Sequence, residues 1–145
     1  MTAERLTVVG SDGRAKAFRP LPDEVREAAL RDGLDAYDRG DFFEAHELLE
    51  PAWMGTDDPG ERAFLQGLIK LAAAYVHGVR GNPAGIVKNL TGARARLIEA
   101  AAGGPRRGDL DLPALVADVD LRLAELAANT AGPTLGPPVL RRSDS

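Results

Sequence analysis

The chain has no cysteine. Disulfides, thiolate metal sites and cysteine nucleophiles are excluded with it. Serine is nearly as scarce: Ser11, Ser143 and Ser145 are the only ones, all close to the ends. A serine hydrolase is therefore not expected. Aromatic residues make up only 5% while alanine is abundant, which favours closely packed helices over layered sheets. No uncharged apolar run reaches the length of a membrane span. The best stretch, Leu65 to Val79, is interrupted by Gln66, Lys70 and His77. Met1 to Arg19 lacks the basic-then-apolar order of a signal peptide, so a cytoplasmic location without membrane association is the expectation. Excess positive charge is also missing: 18 Lys and Arg face 22 Asp and Glu, for a net charge of −4. That argues against general nucleic-acid binding, which needs many phosphate-neutralising cations. There is no P-loop, dinucleotide fingerprint or EF-hand.

What is present fits one domain of 145 residues, with 44% hydrophobic and 28% charged residues. Residues 1–19 read as an N-terminal arm or small hairpin: Leu6–Val9 and Ala15–Phe18 are strand-like around a turn-like Gly10-Ser11-Asp12-Gly13. Residues 20–129 read as the helical domain, and 130–145 as a Pro/Gly-rich tail, extended or disordered. Five helices are expected. Pro22 opens the first, and Gly40 closes it. Asp41 and Glu44, at N-cap and N3 spacing, predict a capping box for the second, with Pro51 marking a kink or late boundary. Asp58-Pro59 and Glu61 open the third, Asn82-Pro83 the fourth and Asp111-Leu112-Pro113 the fifth. Arg39-Gly40-Asp41 recurs as Arg80-Gly81-Asn82, so both joints should be tight glycine-centred turns. The expected fold is an all-α, compact five-helix bundle built on two antiparallel helical hairpins, with the third helix near its centre.

The second helix carries the chemistry. Successive residues rotate by about 100°, so Leu48, Ala52, Ala45, Leu49, Phe42 and Trp53 form one apolar arc. His46 and Glu50, neighbours at i,i+4, lie at its margin between aromatic residues, and Glu44 and Glu47 lie further toward solvent. A carboxylate at such a margin needs a partner, and His46 is the nearest.

On the third helix Gln66, Lys70 and His77 share a narrow polar stripe, flanked by Ala63, Ala73 and Ala74. Facing His46 and Glu50, the stripe would enclose a polar site. Facing water, it would be the solvated side of an amphipathic helix.

Glu44-Ala45-His46-Glu47, then Leu49-Glu50 and Trp53, then Gln66-Gly67-Leu68-Ile69-Lys70, then Arg80-Gly81-Asn82 with Gly85, resembles the family catalogued as domain of unknown function 309. The resemblance covers roughly residues 30 to 100. It implies an all-helical bacterial or archaeal domain with no established activity; metal-dependent hydrolysis is a suggestion loosely attached to it. Its motif positions here are Glu44, His46, Glu47, Glu50, Trp53, Gln66, Gly67, Asn82 and Gly85. Lys70 stands where the pattern favours glutamine.

Two functions are compatible with these residues. The first is a binding or scaffold module, homodimeric or serving a protein partner, in which the His46–Glu50 pair fixes helix geometry or receives a small ligand. The second is a metal-dependent hydrolase using His46, Glu47, Glu50 and His77. His46-Glu47-x-x-Glu50 lacks the second histidine of the zinc-protease helix, but His46, Glu50 and His77 are a candidate divalent-ion set if their helices face each other. No other cofactor is called for. Trp53, the sole tryptophan, either packs at the helix end or anchors a partner.

Overall fold

The computed structural model describes residues 7–9, 15–79, 82–128 and 136–140. Among them are five helices: α1 (Asp23–Asp38), α2 (Phe42–Met54), α3 (Pro59–Val79), α4 (Pro83–Gly103) and α5 (Leu112–Ala128). Two short antiparallel hairpins join them, β1 (Thr7–Val9) with β2 (Ala15–Ala17), and β3 (Arg106–Arg107) with β4 (Leu110–Asp111). The fold is the expected five-helix bundle. In the segment read as an arm or small hairpin, Thr7–Val9 pairs with Ala15–Ala17; the residues between them lie outside the described ones. Most of the tail also lies outside them. Residues 136–140 have no regular secondary structure and are docked: Tyr37 donates to the Pro138 carbonyl at 2.7 Å and Arg122 Nε to the Gly136 carbonyl at 3.0 Å.

Local chemistry explains the boundaries. Gly40 takes φ +80°, and Asp41 N–H reaches back to the Ala36 carbonyl, five residues earlier. This is the six-residue closure that a left-handed residue makes possible. Asn82 N–H makes the equivalent bond to the His77 carbonyl; Arg80 and Gly81 lie outside the described residues. Asp58, Asn82 and Asp111 accept hydrogen bonds from the N–H groups of Glu61, Gly85 and Ala114 and satisfy first-turn donors. The capping box expected at Asp41 does not form. Asp41 makes no side-chain cap bond, and Glu44 pairs instead with Arg39 at 3.6 Å. Pro51 lies inside α2, whose helix continues to Met54. The β3–β4 hairpin is absent from the sequence-based expectation. Its two-residue turn, Gly108-Asp109, has positive φ at both positions, the backbone that matches strand twist in the tightest hairpins.

Consecutive helices pack on one another, antiparallel. Gly33 of α1 lies against Leu49 of α2, Trp53 and Phe42 of α2 meet Arg62 and Tyr75 of α3, and Arg94 of α4 pairs with Asp120 of α5. The α3–α4 contact is the most extensive. Its core includes Leu65, Leu68, Leu71, Leu90 and Leu97, all 2% exposed or less. Close approach is set by glycine: a Cβ on Gly67 would stand 2.9 Å from Leu97 Cγ.

Candidate functional site

α2 buries one side and shows the other. Ala45, Leu49 and Ala52 are 0–2% exposed, whereas Phe43, at 59%, stands in solvent. Phe43, His46, Glu47 and Glu50 follow i, i+3, i+4, i+7 spacing and therefore share the outer face. His46 Nδ1 lies 3.4 Å from Glu47 Oε1 and 3.9 Å from Glu50 Oε2. One ligand atom from each of the three residues falls within 4.8 Å of the others. The side chains are 31%, 57% and 43% exposed, so the cluster sits at the surface and is not enclosed. His46 lies nearer Glu47, which the helical wheel placed toward solvent, than Glu50.

His77 is not part of this group. Its ring lies against α4, where a Cβ on Gly85 would come within 2.6 Å of Cγ and Nδ1, and Nδ1 is 3.2 Å from Asn82 Nδ2. Lys70 of the same stripe lies against α4 as well, with its Cδ 2.9 Å from a Cβ built on Gly92. Gln66 is half-buried one residue before Gly67. The stripe thus lies along α4, partly exposed: Lys70 and His77, two turns apart, pass over Gly92 and Gly85, also two turns apart. Antiparallel helices in register bring these pairs together. The described side chain that groups with His46 and Glu50 is Glu47, and His77 is not in that group.

Trp53 is half-buried and covered. The Arg62 guanidinium sits 4.8 Å from its ring centre, a cation–π stack, and Arg62 Nη1 donates to the carbonyls of Trp53 and Thr56 at 2.9 Å each. Arg62 is 7% exposed, and its Nη2 has no hydrogen-bond partner. Burial lowers its pKa, with Asp57 opposing. This staple between the end of α2 and the start of α3 had no signal in the sequence, where an arginine in a first helical turn reads as surface.

Residues 30–89 match the family model Domain of unknown function (DUF309). The matched segment begins at Leu30 in α1 and ends at Asn89 in α4, so it holds His46, Glu47, Glu50, Arg62, His77 and Gly85. Gly92, Leu97, the β3–β4 hairpin and the docked tail lie beyond it. No curated protein matches the chain. No helix among the described residues is long and apolar enough to cross a membrane.

The His46–Glu47–Glu50 group can be tested for fit to a divalent ion. Metal–nitrogen and metal–oxygen bonds of about 2.1 Å place tetrahedral ligands roughly 3.4 Å apart. The two imidazole–carboxylate spacings, 3.4 and 3.9 Å, are near that edge, so small rotamer changes would close the three donors on an ion. They remain three donors from one helix, with no fourth among the described residues.

Proposed function

We propose that the chain is a small helical binding module and that the outer face of α2 is its contact surface. The observation that carries this reading is Phe43, 59% exposed on the same helical face as a histidine and two carboxylates. A large aromatic beside a polar cluster is the composition of an interface anchor with its rim. The fitting partner is a protein segment with an apolar side chain for Phe43 and a cation for Glu47 and Glu50. A second copy of the chain fits less well: in a two-fold contact centred on this face, Glu47 and Glu50 would meet their own equivalents, and like charges oppose association. A photo-crosslinking amino acid at position 43, compared with one at the equally exposed Leu121 of α5, tests it. A discrete adduct from position 43 alone, lost in Glu47→Lys/Glu50→Lys, supports the reading. No adduct, or the same adducts from both positions, removes it.

The spacing of His46, Glu47 and Glu50 favours a second reading, metal-dependent hydrolysis. An ion held there would polarise a water or a carbonyl. His77 is not placed to complete the set, and the serines lie outside the described residues, so the reading rests on three donors. Zinc titration of untagged protein decides it. Stoichiometric binding lost in His46→Ala supports it; no heat and no bound metal ends it.

A further inference from the structure

A cleft of about 530 Å³ opens between α1, α3 and the β3–β4 turn. Asp23, Arg26, Glu27 and Leu30 of α1 form one wall, Glu61, Phe64 and Leu65 of α3 another, and Arg107-Gly108 of the β3–β4 turn closes it. Its size suits a small molecule. On both helices the acids lie toward the N-terminal end of the lining stripe and the apolar residues follow one turn later, which separates a charged end from a greasy floor.

The charges in the cleft are unevenly satisfied. Arg26 is fully engaged: Nε to Glu61 at 2.9 Å, Nη2 to Asp23 at 2.6 Å and Nη1 to the Leu21 carbonyl. Its pKa is raised, chiefly by the Glu61 hydrogen bond. Glu61 also accepts from Thr56. Arg107 is different. Its Nε donates to the Ala100 carbonyl at 3.3 Å, and its guanidinium lies across the backbone of Gly60, where a Cβ would stand 2.2 Å from Nη2, and close to Gly103. Two glycines thus make the notch that holds this side chain, yet no carboxylate among the described residues lies within ion-pair distance of it. Glu27 also has no ion-pair partner among the described residues.

We propose that this cleft binds a small zwitterion with an apolar body, of the class of leucine or phenylalanine. Its carboxylate pairs with Arg107, its ammonium with Glu27, and its side chain lies on Leu30 and Phe64. The charge balance selects this class. Three acids against two arginines leave the cleft at −1. A simple anion would meet Arg107 but add to that excess. A simple amine would leave Arg107 unmatched. A molecule carrying both charges at one end satisfies both side chains, and Arg–carboxylate hydrogen bonds are among the stronger and more directional contacts available.

Calorimetric titration of the full chain with L-leucine and L-phenylalanine tests this, alongside N-acetyl-L-leucine and L-leucinamide. Each blocked analogue should bind at least about tenfold more weakly than leucine, which is about 1.4 kcal/mol. Arg107→Gln should weaken leucine but leave leucinamide unchanged; Glu27→Gln should weaken leucine but leave N-acetyl-leucine unchanged. Phe43→Ala should alter none of these, which separates this site from the α2 face. Should Arg107→Gln fail to fold, exposed Glu27→Gln decides alone. The proposal is overturned by no binding of either amino acid, by blocked analogues that bind as well as the parents, or by leucine affinity indifferent to Glu27→Gln.

Discussion

His46 and His77 are the only imidazoles in the chain, and the helices that carry them treat them differently. His46 stands on the outer face of α2 beside Glu47 and Glu50, with 31% of its side chain exposed. His77 is partly exposed and lies against α4, its ring over Gly85 and its Nδ1 near Asn82. In sequence each looks like a polar residue beside an apolar arc. What separates them is the neighbouring helix: α4 presents glycine where His77 arrives, and among the described residues no such contact is found at His46. One histidine is held by packing and the other is left free to meet something else. That contrast can be broken by substitutions on either side.

The largest effect belongs to the packed side. Leu97 is fully buried and fills the space opposite Gly67. Leu97→Ala leaves a void that a glycine cannot close, and should lower stability by about 2–5 kcal/mol. Urea unfolding should show a lower midpoint at unchanged slope. A loss below about 1 kcal/mol would mean that the α3–α4 contact is looser than described.

Alkaline pH reaches the same interior by another route. Tyr75 packs on Phe42, which meets Tyr37 edge-on. Burial pushes the Tyr75 hydroxyl up from 10.0 to about 12, Arg122 opposing, and raises Tyr37 as well. A phenol whose folded value is raised is deprotonated first in the unfolded chain. Stability should therefore be indifferent to this group below pH 10 and fall as pH climbs from 10 to 12, by about 2–3 kcal/mol for Tyr75 alone. Tyr75→Phe should flatten part of that fall. At neutral pH it should change stability by no more than about 1 kcal/mol, since Arg122, the polar neighbour of the hydroxyl, already donates to the Gly136 and Asp118 carbonyls. A melting temperature that declines equally in both proteins would remove Tyr75 as the cause.

These effects indicate how much the sequence could reveal. The caps at Asp58, Asn82 and Asp111 were legible because a cap is decided within four residues. The Arg39-Gly40-Asp41 joint was legible for the same reason. Asp41 misled because Glu44, free to choose, turned to Arg39. The polar stripe of α3 could not be assigned a neighbour from its own wheel. The signal lay in a different helix: Gly85 and Gly92 repeat the seven-residue spacing of Lys70 and His77. The β3–β4 hairpin had its mark in Gly108-Asp109, a short turn signature lost between two helix predictions. The cleft beside it was beyond reach, since its walls come from three segments far apart in the chain. The His46 group was legible in composition, because it lies within one turn and a half of one helix, but not in its partner order.

A narrower comparison uses the two glycines under the α3 stripe. At Gly85 a methyl would meet the root of the His77 ring, which has little room to yield. At Gly92 it would meet the middle of the Lys70 chain, which can swing aside. Alanine in place of glycine favours a helix by about 1 kcal/mol, while overpacking costs about 1–3 kcal/mol. Gly85→Ala should therefore be neutral to destabilising by about 2 kcal/mol, and Gly92→Ala stabilising by up to about 1 kcal/mol. Adding His77→Ala to Gly85→Ala should recover part of the loss. Equal melting temperatures for the two single variants would show that His77 is not held by Gly85.

The smallest effect is expected on the open face, and it tests the contrast most directly. His46→Ala removes one contact at 3.4 Å and another at 3.9 Å, with both carboxylates more than two-fifths exposed. Ion pairs in that setting contribute little, commonly under about 1 kcal/mol, and alanine returns some helix propensity. The expected change is therefore within about 0.5 kcal/mol, measured by chemical unfolding near neutral pH. A near-zero value leaves His46, Glu47 and Glu50 available for a partner or an ion, since their arrangement is then not what holds α2 in place. A loss above about 2 kcal/mol would make His46 a structural residue like His77, and the outer face of α2 would forfeit its claim to be a binding surface.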